Sequence, residues 1–243
     1  MKLKTVSVVI PVYNEAPTIA QVLDRVRMAP TPGLKKQIVV VDDASSDGTA
    51  EYLRTIVDDD IRCLFHERNR GKGAALRSGF AETTGDVVIV QDADLEYDPD
   101  EYPKLLRPII NDKADVVLSS RFSGGEEHRV LYFWHSVANK VFTLMSNMLS
   151  NLNLTDMESC YKVLTRDVLD KIHIEEDRFG FEPEIVAKVA RLHCRIFEVG
   201  VSYAGRTYEQ GKKITWKDGI RTLWCIVKYS LRPARYTAAP TKH

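Results

Sequence analysis

Short β-branched runs alternate with helix-period segments along most of this chain, and several of the runs end in carboxylates. Strands are predicted at 6–12, 37–41, 61–66, 86–91 and 114–119, with helices at 18–28, 49–57 and 73–83 between them. Helices at 167–172 and 183–192 and a strand at 195–201 close the pattern. The turn after Val12 and the Pro32-Gly33 link make the opening a β-α-β unit. Such alternation predicts an α/β fold, a mostly parallel central sheet with helices on both faces. Two stretches stand outside it: a long helical insert at about 129–152, and a helical segment at 215–231 followed by a tail that runs to 243.

A chain of 243 residues is long enough for one full-sized α/β domain with a short appendage. The expected division is a catalytic domain over 1–214 that includes the insert, and an amphipathic helix with tail over 215–243. The 34 basic and 34 acidic residues balance, so no global field argues for nucleic acid as a partner. Cys63, Cys160, Cys194 and Cys225 are widely separated and form no C-x-x-C pair, which fits reduced thiols. No apolar segment with a cleavage site precedes the first strand, and the apolar stretch from Val130 to Leu152 is interrupted by His135, Asn139, Lys140 and Asn147. Neither a secretory signal nor a transmembrane helix is expected, and the cytoplasm is the expected compartment.

Ligands of open α/β sheets bind beyond the carboxyl ends of the strands, so acidic residues that end apolar runs carry the functional reading. Val8 to Val12 ends in Tyr13-Asn14-Glu15, Val39 to Val41 in Asp42-Asp43, and Val87 to Val90 in Gln91-Asp92-Ala93-Asp94. An Asp-x-Asp at a strand end can turn two carboxylates toward one hard cation, Mg²⁺ or Mn²⁺, that leaves positions for phosphate oxygens. Taken alone, an Asp-x-Asp is more often a solvated turn or a helix cap; three clusters on one rim shift the balance. Asp43 precedes the turn residues and can accept hydrogen bonds from a base or ribose, whereas Ser46, Asp47 and Thr49 read as capping chemistry. The run Asn69-Arg70-Gly71-Lys72-Gly73 is read equally well as a phosphate-binding helix start or as a Gly-rich turn with solvated cations.

These residues together resemble family 2 glycosyltransferases of the GT-A fold, and within them the dolichol-phosphate mannose synthase and bacterial polyprenyl-phosphate glycosyltransferase group. The resemblance runs through 8–15, 41–49, 69–79, 85–96 and Ser120-Arg121-Phe122, and continues to about residue 231. It implies that Pro11, Tyr13, Glu15, Asp43, Lys72 and Ala93 line a pocket for a GDP- or UDP-sugar. It also implies that Asp92 and Asp94, with Glu96 where a related synthase has Gln, hold the metal and diphosphate. Asp156-Met157-Glu158-Ser159-Cys160-Tyr161-Lys162 is similar to the family's D-x-x-S-G-F segment, with Cys160 in place of Gly; Asp156 is read either as an active-site carboxylate or as a loop cap. Phe179-Gly180-Phe181-Glu182 is similar to its G-F segment. Arg206 to Lys213 is similar to the basic loop that closes over donor and acceptor phosphates, with Arg206, Lys212 and Lys213 as its cations. Arg121 matches the arginine for the acceptor phosphate, with Arg129 as a second candidate.

The implied reaction transfers a hexose, mannose or glucose, to a polyprenyl or dolichyl phosphate with inversion, at the cytoplasmic face of a membrane. A soluble or glycan acceptor and a non-catalytic nucleotide-sugar scaffold are the alternatives. From Trp216 onward, Ile220, Leu223, Trp224, Val227 and Leu231 recur at helical spacing, with Lys217, Arg221, Lys228 and Arg232 on another stripe. A basic amphipathic helix of this kind suits either an anionic membrane surface or packing on the core. The insert offers a lipid-facing or an oligomer-facing surface, which leaves a homo-oligomer open.

Overall fold

The computed structural model describes residues 3–125, 127–130, 132–207 and 216–231, without the side chains of 216 and 217. The expected α/β alternation is present. β1 (Thr5–Val12), α1 (Ile19–Met28), β2 (Lys35–Asp42), α2 (Thr49–Arg54), β3 (Ile61–Phe65), α3 (Lys72–Ala81) and β4 (Val87–Val90) form the first half. α4 (Tyr102–Ile110), β5 (Val116–Ser120), α5 (Phe133–Ser150), β6 (Lys162–Thr165), α6 (Arg166–Leu169), α7 (Phe181–Arg191), β7 (Ile196–Gly200) and α8 (Trp216–Leu231) follow. The sheet has seven strands in the order β3-β2-β1-β4-β6-β5-β7. β6 alone among them runs antiparallel, paired to β4 on one side and β5 on the other.

The core strands bury both faces, as the continuous Val and Ile runs require: Val8, Val9 and Ile10 of β1, Val39 to Val41 of β2 and the whole of β4 are sealed from water. β1 lies between β2 and β4, so the strand order reverses there and a crevice opens beyond the carboxyl ends of these three neighbours. The three acidic clusters stand at those three ends.

Two elements lie outside the expected pattern. α4 carries Pro103 and Pro108, which mask a helix whose buried Tyr102, Leu105, Leu106 and Ile109 follow helical spacing. β6 is only four residues long and opens on a lysine, too short and too polar at its start to show strand periodicity. α5 covers most of the expected insert and packs against α7 and α8.

α8 takes one of the two roles its sequence allows and packs against α5 and α7. Its Arg221 and Lys228 do not form a free cationic stripe: they bond the carboxylate of buried Glu176, Arg221 at 2.5 Å and Lys228 at 2.7 Å, and Tyr229 donates to it at 2.8 Å. A charge removed from water is stable only when paired, and these cations pair the Glu176 carboxylate. Trp224 and Ile220, 61% and 59% exposed, face outward instead. Arg232 and the Lys217 side chain lie outside the described residues.

Candidate active site

Each of the three rim strands is followed by a backbone turn with a non-glycine residue at positive φ: Asn14 at 51°, Ala44 at 62° and Leu95 at 61°. Such conformations cost of order 1–3 kcal/mol each and concentrate at functional sites. Here they turn the chain sharply, so that Glu15, Asp43, Asp92 and Asp94 border one cavity of about 1120 Å³. Pro11, Tyr13, Lys72, Ala93, Glu96, Arg121 and Arg206 line the same cavity. Lys212 and Lys213 lie outside the described residues.

Lys72, the first residue of α3, is the cation of the rim. Its ammonium bonds Asp92 Oδ1 at 2.9 Å and Glu182 Oε1 at 2.8 Å. Burial works against its charge, but the two carboxylates outweigh that and raise its pKa well above the usual lysine value. Burial would likewise push Asp92 up, and Lys72 holds it below the ordinary range. Asp94 is shifted the other way: burial and the neighbouring negative charges of Asp92 and Glu96 hold it above that range, and Arg206 offsets them only in part. Arg206 bonds Glu15 Oε1 at 2.9 Å, Glu15 Oε2 at 3.1 Å and Asp94 Oδ2 at 3.1 Å. One guanidinium thus bridges two rim carboxylates that share no strand.

Glu96 is not gathered with Asp92 and Asp94 into a three-carboxylate cluster. Its Oε1 accepts the Arg206 N–H at 2.6 Å and its Oε2 the Tyr203 hydroxyl at 2.8 Å. Among the described residues no group of three His, Cys, Asp or Glu side chains is arranged to hold an ion. The residues present fit a hard cation of the Mg²⁺ type in one respect: two crowded hard carboxylates suffice where phosphate and water oxygens complete the shell.

Asp43 lies in the cavity wall with its acceptor sites taken. Its Oδ1 meets His66 Nδ1 at 2.6 Å and the Arg70 N–H at 2.9 Å, while Oδ2 accepts from Gly71 N–H at 2.6 Å and Arg70 N–H at 3.1 Å. The Arg70 and Gly71 amides therefore point at Asp43 rather than into the cavity. The glycines of this segment serve close packing: a Cβ at Gly71 would stand 2.4 Å from the Asp177 carbonyl oxygen, and one at Gly73 would stand 2.1 Å from that of Glu176.

On the far side, Arg121 grips the buried Asp156 through Nε at 2.6 Å and an Nη at 2.8 Å, and a further bond of 3.1 Å reaches Asn139 of α5. Burial would raise the Asp156 carboxyl, but the Arg121 charge and hydrogen bonds keep it below the usual range. Arg129 turns away to the Gly205 carbonyl at 2.9 Å. Cys160, where the resemblance implies glycine, is buried in the cavity wall.

Several cavity residues were not singled out by sequence reasoning. Tyr97 and Tyr203 pack at a tilt with ring centroids 5.1 Å apart, and the Arg121 guanidinium lies 5.2 Å from the Tyr203 ring centroid. Glu158 borders the cavity with Oε1 sealed from solvent; burial and the charge of Glu182 hold its carboxyl above the usual range. The only signal for Glu158 was a charged residue in a segment otherwise destined for the interior. The cavity ends between α5 and α8, where Trp134, Phe142, Ile220 and Leu223 form an apolar mouth.

The family model described as Glycosyl transferase family 2 matches residues 7–173. The undecaprenyl-phosphate mannosyltransferase of Micrococcus luteus is 32% identical over 218 residues, 84% of this chain and 85% of that protein. The undecaprenyl-phosphate 4-deoxy-4-formamido-L-arabinose transferase of Proteus mirabilis is 30% identical over 215 residues, 87% of this chain; the match spans 63% of that protein's length. Glucosyl-3-phosphoglycerate synthase from Mycobacterium tuberculosis, crystallised with Mn²⁺, uridine diphosphate and phosphoglyceric acid, superposes with a TM-score of 0.73 at 20% identity, covering 95% of this chain and 80% of that one. The same enzyme has been crystallised with Mg²⁺ and uridine diphosphate, and that structure superposes with a TM-score of 0.71. From the matched family model and the shared fold together, the chain belongs to glycosyl transferase family 2 and has the GT-A architecture.

Proposed function

We propose that this chain transfers a hexose, mannose or glucose, from a GDP- or UDP-sugar to a polyprenyl phosphate at the cytoplasmic face of a membrane, with inversion at the anomeric carbon. One observation carries the reading: a single cavity joins the carboxylate rim to an apolar mouth between α5 and α8, as a polar donor and an apolar acceptor would need. The names of the undecaprenyl-phosphate relatives support the acceptor class.

Asp92 and Asp94 would hold Mg²⁺ or Mn²⁺ together with the donor diphosphate, and such an ion supplies charge neutralisation to the leaving group. Lys72 orients Asp92 and adds a positive charge beside it. Arg206 changes partners in this scheme: its guanidinium, held by Glu15 and Asp94, is placed to turn toward diphosphate oxygens when donor enters. Lys212 and Lys213 join it through the family resemblance. Tyr13 and Pro11 offer walls for the nucleoside, and Asp43 fixes the loop that presents Lys72.

The acceptor needs no general base. A phosphate monoester has a second pKa of about 6 and is already largely an oxyanion at neutral pH, unlike a sugar hydroxyl. Asp156 is engaged by Arg121 and Glu182 by Lys72. Arg121, on the side of the cavity that leads to α5, would hold the acceptor phosphate in line with the anomeric carbon.

The test incubates the protein with radiolabelled GDP- and UDP-hexoses, polyprenyl phosphate and Mg²⁺ or Mn²⁺. Label should pass into the organic phase with one donor. Transfer only to a water-soluble acceptor, or binding of donor with no turnover, would reject the assignment.

A further inference from the structure

One buried histidine stands outside the proposed chemistry. His66 directly follows β3, and its backbone N–H donates to the Asp42 carbonyl at 2.8 Å, which sets the ring beside Asp43. Nδ1 lies 2.6 Å from Asp43 Oδ1, and Nε2 lies 2.9 Å from the hydroxyl of Ser78 on α3. The His66 side chain is 8% exposed and that of Asp43 4%, so little water competes for these bonds. Spacing of this kind also describes a nucleophilic triad, but Ser78 lies inside a helix and does not line the cavity. The relay therefore serves its carboxylate end, which does line it.

An ionised carboxylate only accepts, so the ring nitrogen that faces it carries a proton. In the neutral ring, Nε2 is then left to accept from the Ser78 hydroxyl, and α3 fixes the tautomer. The remaining acceptor sites of Asp43 take the Arg70 N–H, at 2.9 and 3.1 Å, and the Gly71 N–H, at 2.6 Å. Those are the two residues before Lys72, whose ammonium bonds Asp92 at 2.9 Å and Glu182 at 2.8 Å. A continuous series of bonds thus runs from Ser78 through His66 and Asp43 to the turn that presents the rim cation.

Resting on the proposed function, we infer that His66 is a positioning residue of the donor site. It holds Asp43 so that the carboxylate clamps the Arg70-Gly71 turn, and the clamp places Lys72 against the carboxylate that meets the donor diphosphate. His66 touches no ligand in this role. It acts through the precision it gives to another group, and a misplacement of about 1 Å at such a group can cost about 100-fold.

Spectra of the empty protein and nucleotide affinities together test the inference. In long-range proton–nitrogen NMR spectra His66 Nδ1 should carry a proton; a ring protonated at Nε2 alone overturns the inference. Affinities for GDP and UDP with Mn²⁺, and for GMP and UMP, are measured by calorimetry on the unaltered protein, His66→Ala, His66→Asn and His66→Gln. His66→Ala should weaken diphosphate binding by about 10-fold and monophosphate binding by less than about threefold, because Lys72 stands at the diphosphate end. His66→Asn, whose amide N–H₂ falls near the place of Nδ1, should return to within about threefold of the unaltered protein. His66→Gln, whose amide falls near the place of Nε2, should not. The contrast between Asn and Gln, with the spectra, decides the matter should His66→Ala fail to fold. Equal recovery by Asn and Gln would reduce His66 to a filler of volume and overturn the inference, as would a folded His66→Ala protein that binds diphosphate at full strength; the proposed function stands in either case. If the unaltered protein binds neither diphosphate, the proposed function falls and the inference with it.

Discussion

Asp156 is buried and joined to the part-buried Arg121 by two side-chain bonds, so removing Arg121 strands the carboxylate's charge. Arg121→Ala should lower stability by about 3–5 kcal/mol in urea unfolding, and Arg121→Ala with Asp156→Ala should recover part of that loss. A single variant as stable as the starting protein would show that water reaches Asp156. The neighbouring Asp92 and Asp94 carboxylates lead to a different expectation. Asp94→Ala should weaken Mn²⁺ binding in the presence of nucleoside diphosphate, read by calorimetry, and cut transfer by on the order of 100-fold. Unaltered Mn²⁺ affinity would remove Asp94 from the ion's shell. Asp92 and Asp94 were legible in the sequence because two further acidic clusters end apolar strands on the same rim. The saturation of Asp43 by His66, Arg70 and Gly71 was not legible, since all of its partners come from segments at least 23 residues away.

The helices α5, α7 and α8 form a second unit of packing beside the sheet, and Glu176 is its fastening. The hydrogen bonds from Lys228, Arg221 and Tyr229 overcome the effect of burial and bring the Glu176 carboxyl from its ordinary 4.5 to about 2. A carboxyl depressed in the folded state contributes stability that is complete above its unfolded value and is lost as pH falls toward the folded one. Stability should therefore decline between about pH 4.5 and pH 2, and this part of the decline should be absent from Glu176→Gln, as followed by urea unfolding at stepped pH. Identical pH profiles for the two proteins would show that the cluster contributes nothing. The amphipathic period of α8 was clear from Ile220, Leu223, Trp224, Val227 and Leu231, yet period alone does not say which stripe faces inward. Glu176 decided it, because a buried carboxylate needs cations more than a membrane does.

For the molecule as a whole, the apolar mouth and its outward side chains determine how a lipid acceptor could be met. Trp134 is 75% exposed, Phe133 68%, and Trp224 lies on the adjoining helix α8. No helix among the described residues is long and apolar enough to cross a membrane. The proposed surface association should then depend on aromatic insertion more than on Arg221 and Lys228, which Glu176 pairs. Trp134→Ser with Trp224→Ser should reduce co-sedimentation with anionic vesicles, and the reduction should persist at 0.5 M salt, about three times the physiological ionic strength, where surface charge is screened. Undiminished vesicle binding by a folded double variant would assign these tryptophans to another partner, a second copy of the chain among them. The sequence by itself determined the α/β alternation, the carboxyl-end acidic clusters and the family, because strand and helix periods and short motifs are local properties. Tertiary structure decided the placement of antiparallel β6 between β4 and β5, the pairing of the α8 cations with Glu176, the engagement of Glu96 by Arg206 and Tyr203, and the meeting of Glu158 with Glu182 at one cavity. Each of these depends on which distant strand, charge or hydrogen-bond donor arrives at a group, and the sequence around that group does not contain it.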